Sequence, residues 1–261
     1  MPILRLDKFI SNNTEYSRSQ IKDLIKHNKI LVDNISVKKS DIKIDTNKSV
    51  VLVDGKKVSE FGLRYFMMNK PSGVVCSTED GISKTVIDLL PDELKDKNLF
   101  PAGRLDKDSE GFVLLTNDGE FSHKILSSKN HVAKYYIVRL SRPFETEYIE
   151  KFSKGIELSN GEVCLPSRVI PWEKSPYYAV VELYEGKYHQ VKRMFASVGN
   201  HVEYLFRFQI GNLALSENLP KGSVLEVLHK ELTEILKNTD TKFFEKDFQS
   251  KISSFITNIE L

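Results

Sequence analysis

Gly103-Arg104-Leu105-Asp106-Lys107-Asp108-Ser109-Glu110-Gly111 runs directly into the apolar stretch Phe112 to Leu115. Two glycines bracket a charged loop, and the loop feeds a strand with the composition of a buried one. Such a scaffold holds a carboxylate at a cleft without mobility. Arg104 stands two residues before Asp106 and Lys107 directly after it. A nearby cation keeps a carboxylate ionised, as a nucleophile requires. Ordinary turn residues in a charged loop are the competing reading, and spacing alone leaves both open. Asp108 invites a paired-carboxylate glycosidase reading; two residues from Asp106 in a tight turn, it is expected to cap backbone N–H groups instead.

Outward from this loop, short strands and helices alternate. Strands are expected at Tyr65–Asn69, Phe112–Thr116, Tyr135–Leu140 and Tyr177–Tyr184, and helices at Lys84–Leu90, Glu120–Leu126, Glu145–Lys154 and His189–Ser197. This order predicts an α+β fold with a mixed, largely antiparallel sheet flanked by helices. Trp172, after Pro171, reads as part of a loop, and Cys76 as a small hydrophobe in a strand. Neither GxGxxG nor GxxxxGK[ST] occurs, which argues against a nucleotide cofactor.

A second dense stretch is Glu185-Gly186-Lys187-Tyr188-His189-Gln190-Val191-Lys192-Arg193-Met194-Phe195. Val191, Met194, Phe195 and Val198 share one helical face and read as core. Gly186, Lys187, Tyr188 and Gln190 sit where strand turns into helix, where free backbone N–H groups favour phosphate. A basic and aromatic cluster there suits RNA, through phosphate contacts and base stacking; a solvated basic helix start is the alternative.

The chain has 261 residues, 40% hydrophobic and 28% charged, enough for about two domains. It contains no run of about 18 apolar residues. Its start lacks the basic-then-apolar pattern of a secretory signal. With two cysteines, Cys76 and Cys164, no disulfide framework is expected, and the chain reads as cytoplasmic. Six scattered His with two Cys offer no metal-ligand spacing, so neither metal nor cofactor is expected.

The net charge of +2 conceals an asymmetry. Residues 1–58 carry 12 Lys/Arg against 7 Asp/Glu, a net of +5, and residues 59–261 a net of −3. Ser17 with Gln20 forms a capping-box pattern at the start of a helix with the apolar stripe Ile21, Leu24 and Ile25. Arg18, Lys22 and Lys26 recur every four residues on another face. A solvated basic face or a nucleic-acid-binding appendage fits this pattern.

The central loop with Gly111-Phe112-Val113-Leu114-Leu115-Thr116-Asn117-Asp118-Gly119 resembles the central motif of the ribosomal RNA pseudouridine synthases, in the branch that includes the bacterial small-subunit (RsuA-type) enzyme. Tyr65 to Gly73 resembles that family's opening strand, Lys134-Tyr135-Tyr136 its Lys-x-Tyr motif, and Glu185 to Val202 its third motif. Arg5-Leu6-Asp7-Lys8-Phe9-Ile10 with Ser17-Arg18-Ser19-Gln20 resembles the S4 RNA-binding domain. The resemblance spans roughly residues 3–231. Val75 to Asp80 and Gly199-Asn200-His201-Val202 favour the small-subunit enzyme over large-subunit relatives. Ser109-Glu110 departs from the usual Thr-Thr or Thr-Ser, Lys192 stands where wider relatives often have Arg, and the tail from about Leu232 has no family counterpart.

The resemblance implies an S4-like module over 1–58, a linker at 59–63, a catalytic domain over 64–231 and a helical extension over 232–261. It implies isomerisation of a uridine in small-subunit (16S) ribosomal RNA, with the base flipped out and no cofactor. Large-subunit RNA, or a non-catalytic ribosome-assembly role, is the alternative. Asp106 would be the nucleophile and Lys192 its ion-pair partner, with Tyr136 against the uracil. Arg104 would fill or support the gap left by the flipped base, or grip the adjacent phosphate. Lys187, Tyr188, Gln190 and Arg193, with Arg5, Arg18, Lys22 and Lys26 of the first module, would contact RNA. The expected partner is ribosomal RNA or a small-subunit assembly particle, bound by a monomer. The tail residues Phe243, Phe244, Phe248, Ile252 and Phe255 are expected to form an apolar stripe packed on the catalytic domain.

Overall fold

In the computed structural model, residues 3–14, 16–58, 62–237 and 248–260 are described. The chain divides into two compact units, residues 1–63 and 64–261. In the first, β1 (Ile3–Arg5) leads into α1 (Leu6–Asn13) and α2 (Arg18–Lys26). Then follow β2 (Ile30–Val32), β3 (Ile35–Ser36), β4 (Lys43–Asp45), β5 (Val51–Val53) and β6 (Lys56–Lys57). β1 pairs with β4, and the other strands form a sheet in the order β3-β2-β5-β6. α2 starts on the expected capping box: Ser17 Oγ accepts from the Gln20 N–H, and Gln20 Oε1 accepts from the Ser17 N–H. Leu6, Phe9 and Ile10 of α1 meet Ile21 and Ile25 of α2 in a core closed by Ile30, Val51 and Val53.

The second unit is built on a nine-stranded sheet. Its first elements are β7 (Tyr65–Lys70), β8 (Phe100–Ala102), β9 (Glu110–Thr116), α3 (Gly119–Leu126), β10 (Lys134–Leu140) and α4 (Glu147–Lys154). The rest are β11 (Arg168–Trp172), β12 (Ser175–Leu183), α5 (Gln190–Ser197), β13 (Val202–Ile210), β14 (Leu213–Ala214), β15 (Val224–Glu226), α6 (His229–Ile235) and α7 (Phe248–Glu260). The main path is β11-β12-β10-β13-β9-β7-β15, with β14 on β13 and β8 on β9. Among the described strand pairs only β13 and β9 run parallel, Phe206 opposite Glu110 and Arg207 opposite Gly111. The α+β, largely antiparallel expectation holds.

The pleat sorts side chains onto two cores. Phe66, Met68, Val113, Leu115, Tyr136 and Val138 face α4 and α5, where Tyr148, Phe152, Val191, Met194 and Phe195 cover them. Tyr65, Met67, Phe112, Leu114, Tyr135 and Ile137 face the other way, toward Ile125 of α3 and Leu232 and Ile235 of α6. Ile252 and Phe255 of the tail join this second core, with the Phe255 ring 5.7 Å from those of Phe206 and Phe208. Phe243 and Phe244 lie outside the described residues, as does the side chain of Phe248. Among the described residues no helix is long and apolar enough to cross a membrane.

Three expectations change. Lys84–Leu90 is a turn rather than a helix. The Asp88 carboxylate accepts from both the N–H and the hydroxyl of Thr85, diverting the backbone from a helical ladder, and Pro91 follows. Trp172 ends a strand, β11, rather than sitting in a loop. The sheet also gains β13, whose apolar pattern is interrupted by Arg207 and Gln209; both are buried because the fold supplies their partners, Phe112 O and Gly211 O.

Candidate active site

The loop carrying Asp106 is strapped down from several sides. Gly103 and Gly111, at its ends, adopt φ of +95° and +100°. A Cβ at Gly111 would stand 2.3 Å from the Arg207 carbonyl oxygen, so the parallel pairing of β9 with β13 requires glycine there. Lys70, fully buried, donates from Nζ to the carbonyl oxygens of Ser109 (2.6 Å), Pro71 (3.1 Å) and Lys107 (3.2 Å). The Gly73 N–H donates to the Lys107 carbonyl (2.8 Å). From β13, Arg207 donates through Nε to Phe112 O (2.7 Å) and through Nη1 to Arg104 O (3.4 Å). Cys76 is buried as expected but lies in a bend rather than a strand, and its Sγ also accepts from the Leu105 N–H (3.3 Å).

Glu110 anchors the far end of the loop, accepting from the Tyr204 hydroxyl (2.6 Å), Lys221 Nζ (2.9 Å) and the Ser72 N–H (3.2 Å). Burial pushes its carboxyl upward, but the bonds from Tyr204 and Lys221 outweigh that and hold it below the usual range. Burial lowers the Lys70 ammonium. Lys134 is lowered to about 8, by burial first and then by the positive charge of Arg207. The Arg207 guanidinium also lies 6.0 Å from the Tyr136 ring centre, so one side chain ties the Asp106 loop to the Tyr136 strand.

Four polar side chains meet above the loop. Lys192 Nζ lies 2.6 and 2.7 Å from the two oxygens of Asp108 and 3.9 Å from Asp106 Oδ2. The closer partner of Lys192 is therefore Asp108, not Asp106, and Asp108 serves chiefly as a carboxylate partner rather than a backbone cap. The bond from Lys192 lowers the Asp108 carboxyl. His189 Nε2 lies 3.4 Å from Asp106 Oδ1. The left-handed backbone of His189, φ +47°, swings it toward the loop, and no periodicity signals that.

The RNA-contact expectations divide. Arg104 and Tyr188 are exposed, and Tyr136 is buried in the core beside the loop. Gln190 is buried, accepting from the Lys187 N–H and donating to Glu185, and so braces the turn. Arg193 is engaged by Asn160 (2.6 Å), Glu162 (3.0 Å) and the Tyr188 carbonyl. Lys187 is half-buried, 4.0 Å from Glu185. In the first unit Arg18, Lys22 and Lys26 are exposed, while Arg5 is held by both oxygens of Asp7. Lys26 pairs with Asp23 at 3.3 Å.

Sequence and fold comparisons identify the family. Residues 64–197 match the model of RNA pseudouridylate synthase, and residues 4–50 that of the S4 domain. The ribosomal small subunit pseudouridine synthase A of Vibrio parahaemolyticus is 41% identical, over 89% of this chain and 99% of its own. The chain belongs to the RNA pseudouridylate synthase family. The Escherichia coli enzyme with the same name as the Vibrio relative is 38% identical, over 89% of this chain and all of its own. An RNA pseudouridine synthase of Bacillus subtilis is 39% identical, over 88% and 97%. A crystal structure of a pseudouridylate synthase superimposes with a TM-score of 0.64 at 36% identity, covering 89% of this synthase and 99% of that chain. The synthase is thus an isomerase with an N-terminal S4 RNA-binding domain.

Proposed function

We propose that this synthase converts a specific uridine of small-subunit ribosomal RNA to pseudouridine, with Asp106 as nucleophile. The observation that carries the chemistry is the Asp106 carboxylate on a loop fixed at both ends, with His189 on one oxygen and Lys192 near the other. The C1′–N1 bond breaks, the uracil turns, and C1′–C5 forms; the C5 proton goes to solvent and N1 takes one up. No electrons are transferred, so only a nucleophile and positioning groups are required. Attack at C1′ or at the base satisfies the same geometry. Lys192, bridging Asp108 and Asp106, keeps the carboxylate pair oriented. Tyr136 lies against the uracil, and contact is its role. Exposed Arg104 takes the space of the flipped uridine or grips the adjacent phosphate. Arg18, Lys22 and Lys26 meet RNA phosphates.

The small-subunit substrate rests on the names of the Vibrio and Escherichia relatives and on their near-complete coverage. Mapping pseudouridines in ribosomal RNA with and without the gene tests it. One small-subunit position should lose its modification; loss confined to large-subunit RNA would refute the assignment.

A further inference from the structure

His189 is in contact with the proposed nucleophile, although its motif gives it no chemical task. It precedes α5 with φ +47°, and its ring stacks on Tyr188 with centres 3.9 Å apart and planes 17° from parallel. Tyr188 is 76% exposed. The stack therefore has one end at the Asp106 carboxylate, 3.4 Å from Nε2, and the other end open to solvent. An exposed tyrosine ring is a platform on which a nucleobase stacks without sequence preference.

We infer that His189 is a positioning residue for Asp106, and that a nucleobase of the RNA stacked on Tyr188 presses the imidazole against the carboxylate and so links substrate engagement to nucleophile orientation. The inference rests on Asp106 being the nucleophile. A neutral imidazole 3.4 Å from one carboxylate oxygen limits where that oxygen can move while leaving the negative charge in place. Once protonated, the ring forms an ion pair that draws charge from the nucleophile. The groups beside it are Asp106 and Asp108 from the loop and Tyr188 from the preceding turn; from α5, Lys192 pairs with the same two carboxylates and Arg193 bonds the Tyr188 carbonyl. The neutral ring is thus the form that supports the saturated rate, and the protonated ring the form that lowers it.

The test uses the full chain and C5-tritiated total ribosomal RNA, with tritium release followed from pH 5.5 to 8.5. His189→Asn keeps a residue that tolerates the left-handed backbone, so the helix start is preserved; His189→Gly is the second variant, with melting curves for both. Both variants should lower the saturated rate at pH 8 by about tenfold, change KM less than about threefold, and lose the pH dependence. Tyr188→Ala should raise KM about tenfold, and the double variant His189→Asn/Tyr188→Ala should lose less than the product of the single effects. A saturated rate and pH profile like wild type in folded His189→Asn would overturn the inference, as would losses that follow the melting temperature with the pH profile retained. Asp106→Asn runs alongside: activity there would overturn the nucleophile reading itself, whereas an inactive Asp106→Asn beside a wild-type-like His189→Asn would remove only the role of His189.

Discussion

In the N-terminal unit the side chains of Arg18, Lys22 and Lys26 stand in solvent on α2, whereas in the C-terminal unit Lys70, Lys134 and Arg207 are buried in the sheet. An exposed cation is weakly coupled to its neighbours, adds to binding roughly independently and is screened by salt. A buried cation is part of the frame: Lys70 and Arg207 donate to carbonyls in and beside the loop that carries Asp106, and removing either takes a buried donor from them. The same kind of charge thus serves attachment in one unit and loop geometry in the other.

Arg207→Met should show the largest effect of breaking that frame. Loss of its bonds to Phe112 O and Arg104 O is expected to cost about 3 kcal/mol of stability, read by urea denaturation. The saturated rate should fall while RNA affinity at equal folded fraction stays within about threefold. A variant as stable as wild type would show that Arg207 is a passenger.

Lys134→Met sharpens the contrast in the opposite direction. The folded pKa of Lys134, about 8, lies below its ordinary 10.5. Between those values the unfolded chain binds more protons, so this group makes stability rise with pH across that window. Below pH 8 its full burial penalty applies, about 3 kcal/mol at 1.36 kcal/mol per pKa unit. Lys134→Met should therefore stabilise the protein at pH 7 by up to that amount and flatten the rise above pH 8. Destabilisation at pH 7 would mean that the ammonium is a structural requirement.

Glu110→Gln addresses a group with the opposite sign. Because folding depresses the Glu110 carboxyl, its contribution is present above the ordinary glutamate range and is lost as pH falls through the folded pKa. The variant should lose about 1–2 kcal/mol at pH 7 and show a shallower acid-side decline in melting temperature. An unchanged acid limb would contradict the assigned network.

Lys22→Gln, on the exposed face, should have the smallest effect on the fold, within about 0.5 kcal/mol. It should still lower the slope of log K against log salt for RNA by roughly 0.7–0.9. An unaltered salt slope would take Lys22 out of the RNA interface.

The two units also differ in how plainly the sequence declared them. In α2 the capping box, apolar stripe and basic face all follow from local spacing, and the structure shows each. In the larger unit, strands with unbroken apolar runs, such as Phe112 to Leu115, were equally plain. β13 carries no such signal, because Arg207 and Gln209 interrupt its apolar pattern and only the fold supplies their partners. Lys84–Leu90 has helical apolar spacing, but the Thr85–Asp88 side-chain bonds capture its backbone. At the candidate site, Asp106 and Lys192 emerged from motif resemblance. The close pairing of Lys192 with Asp108 and the approach of His189 depend on a glycine-bounded turn and one left-handed residue, geometry that spacing does not encode.

Asp106 and Asp108 are two carboxylates two residues apart, and only one of them can be the nucleophile. The decisive measurement is tritium release from C5-labelled ribosomal RNA by folded Asp106→Asn and Asp108→Asn, with filter binding in parallel. Asp106→Asn should lose at least about 10⁴-fold in rate, some 5 kcal/mol of barrier, while still binding RNA. Asp108→Asn, which loses only the closer anchor of Lys192, should fall by about tenfold. An active Asp106→Asn beside an inactive Asp108→Asn would move the nucleophile to the other carboxylate and contradict the mechanism.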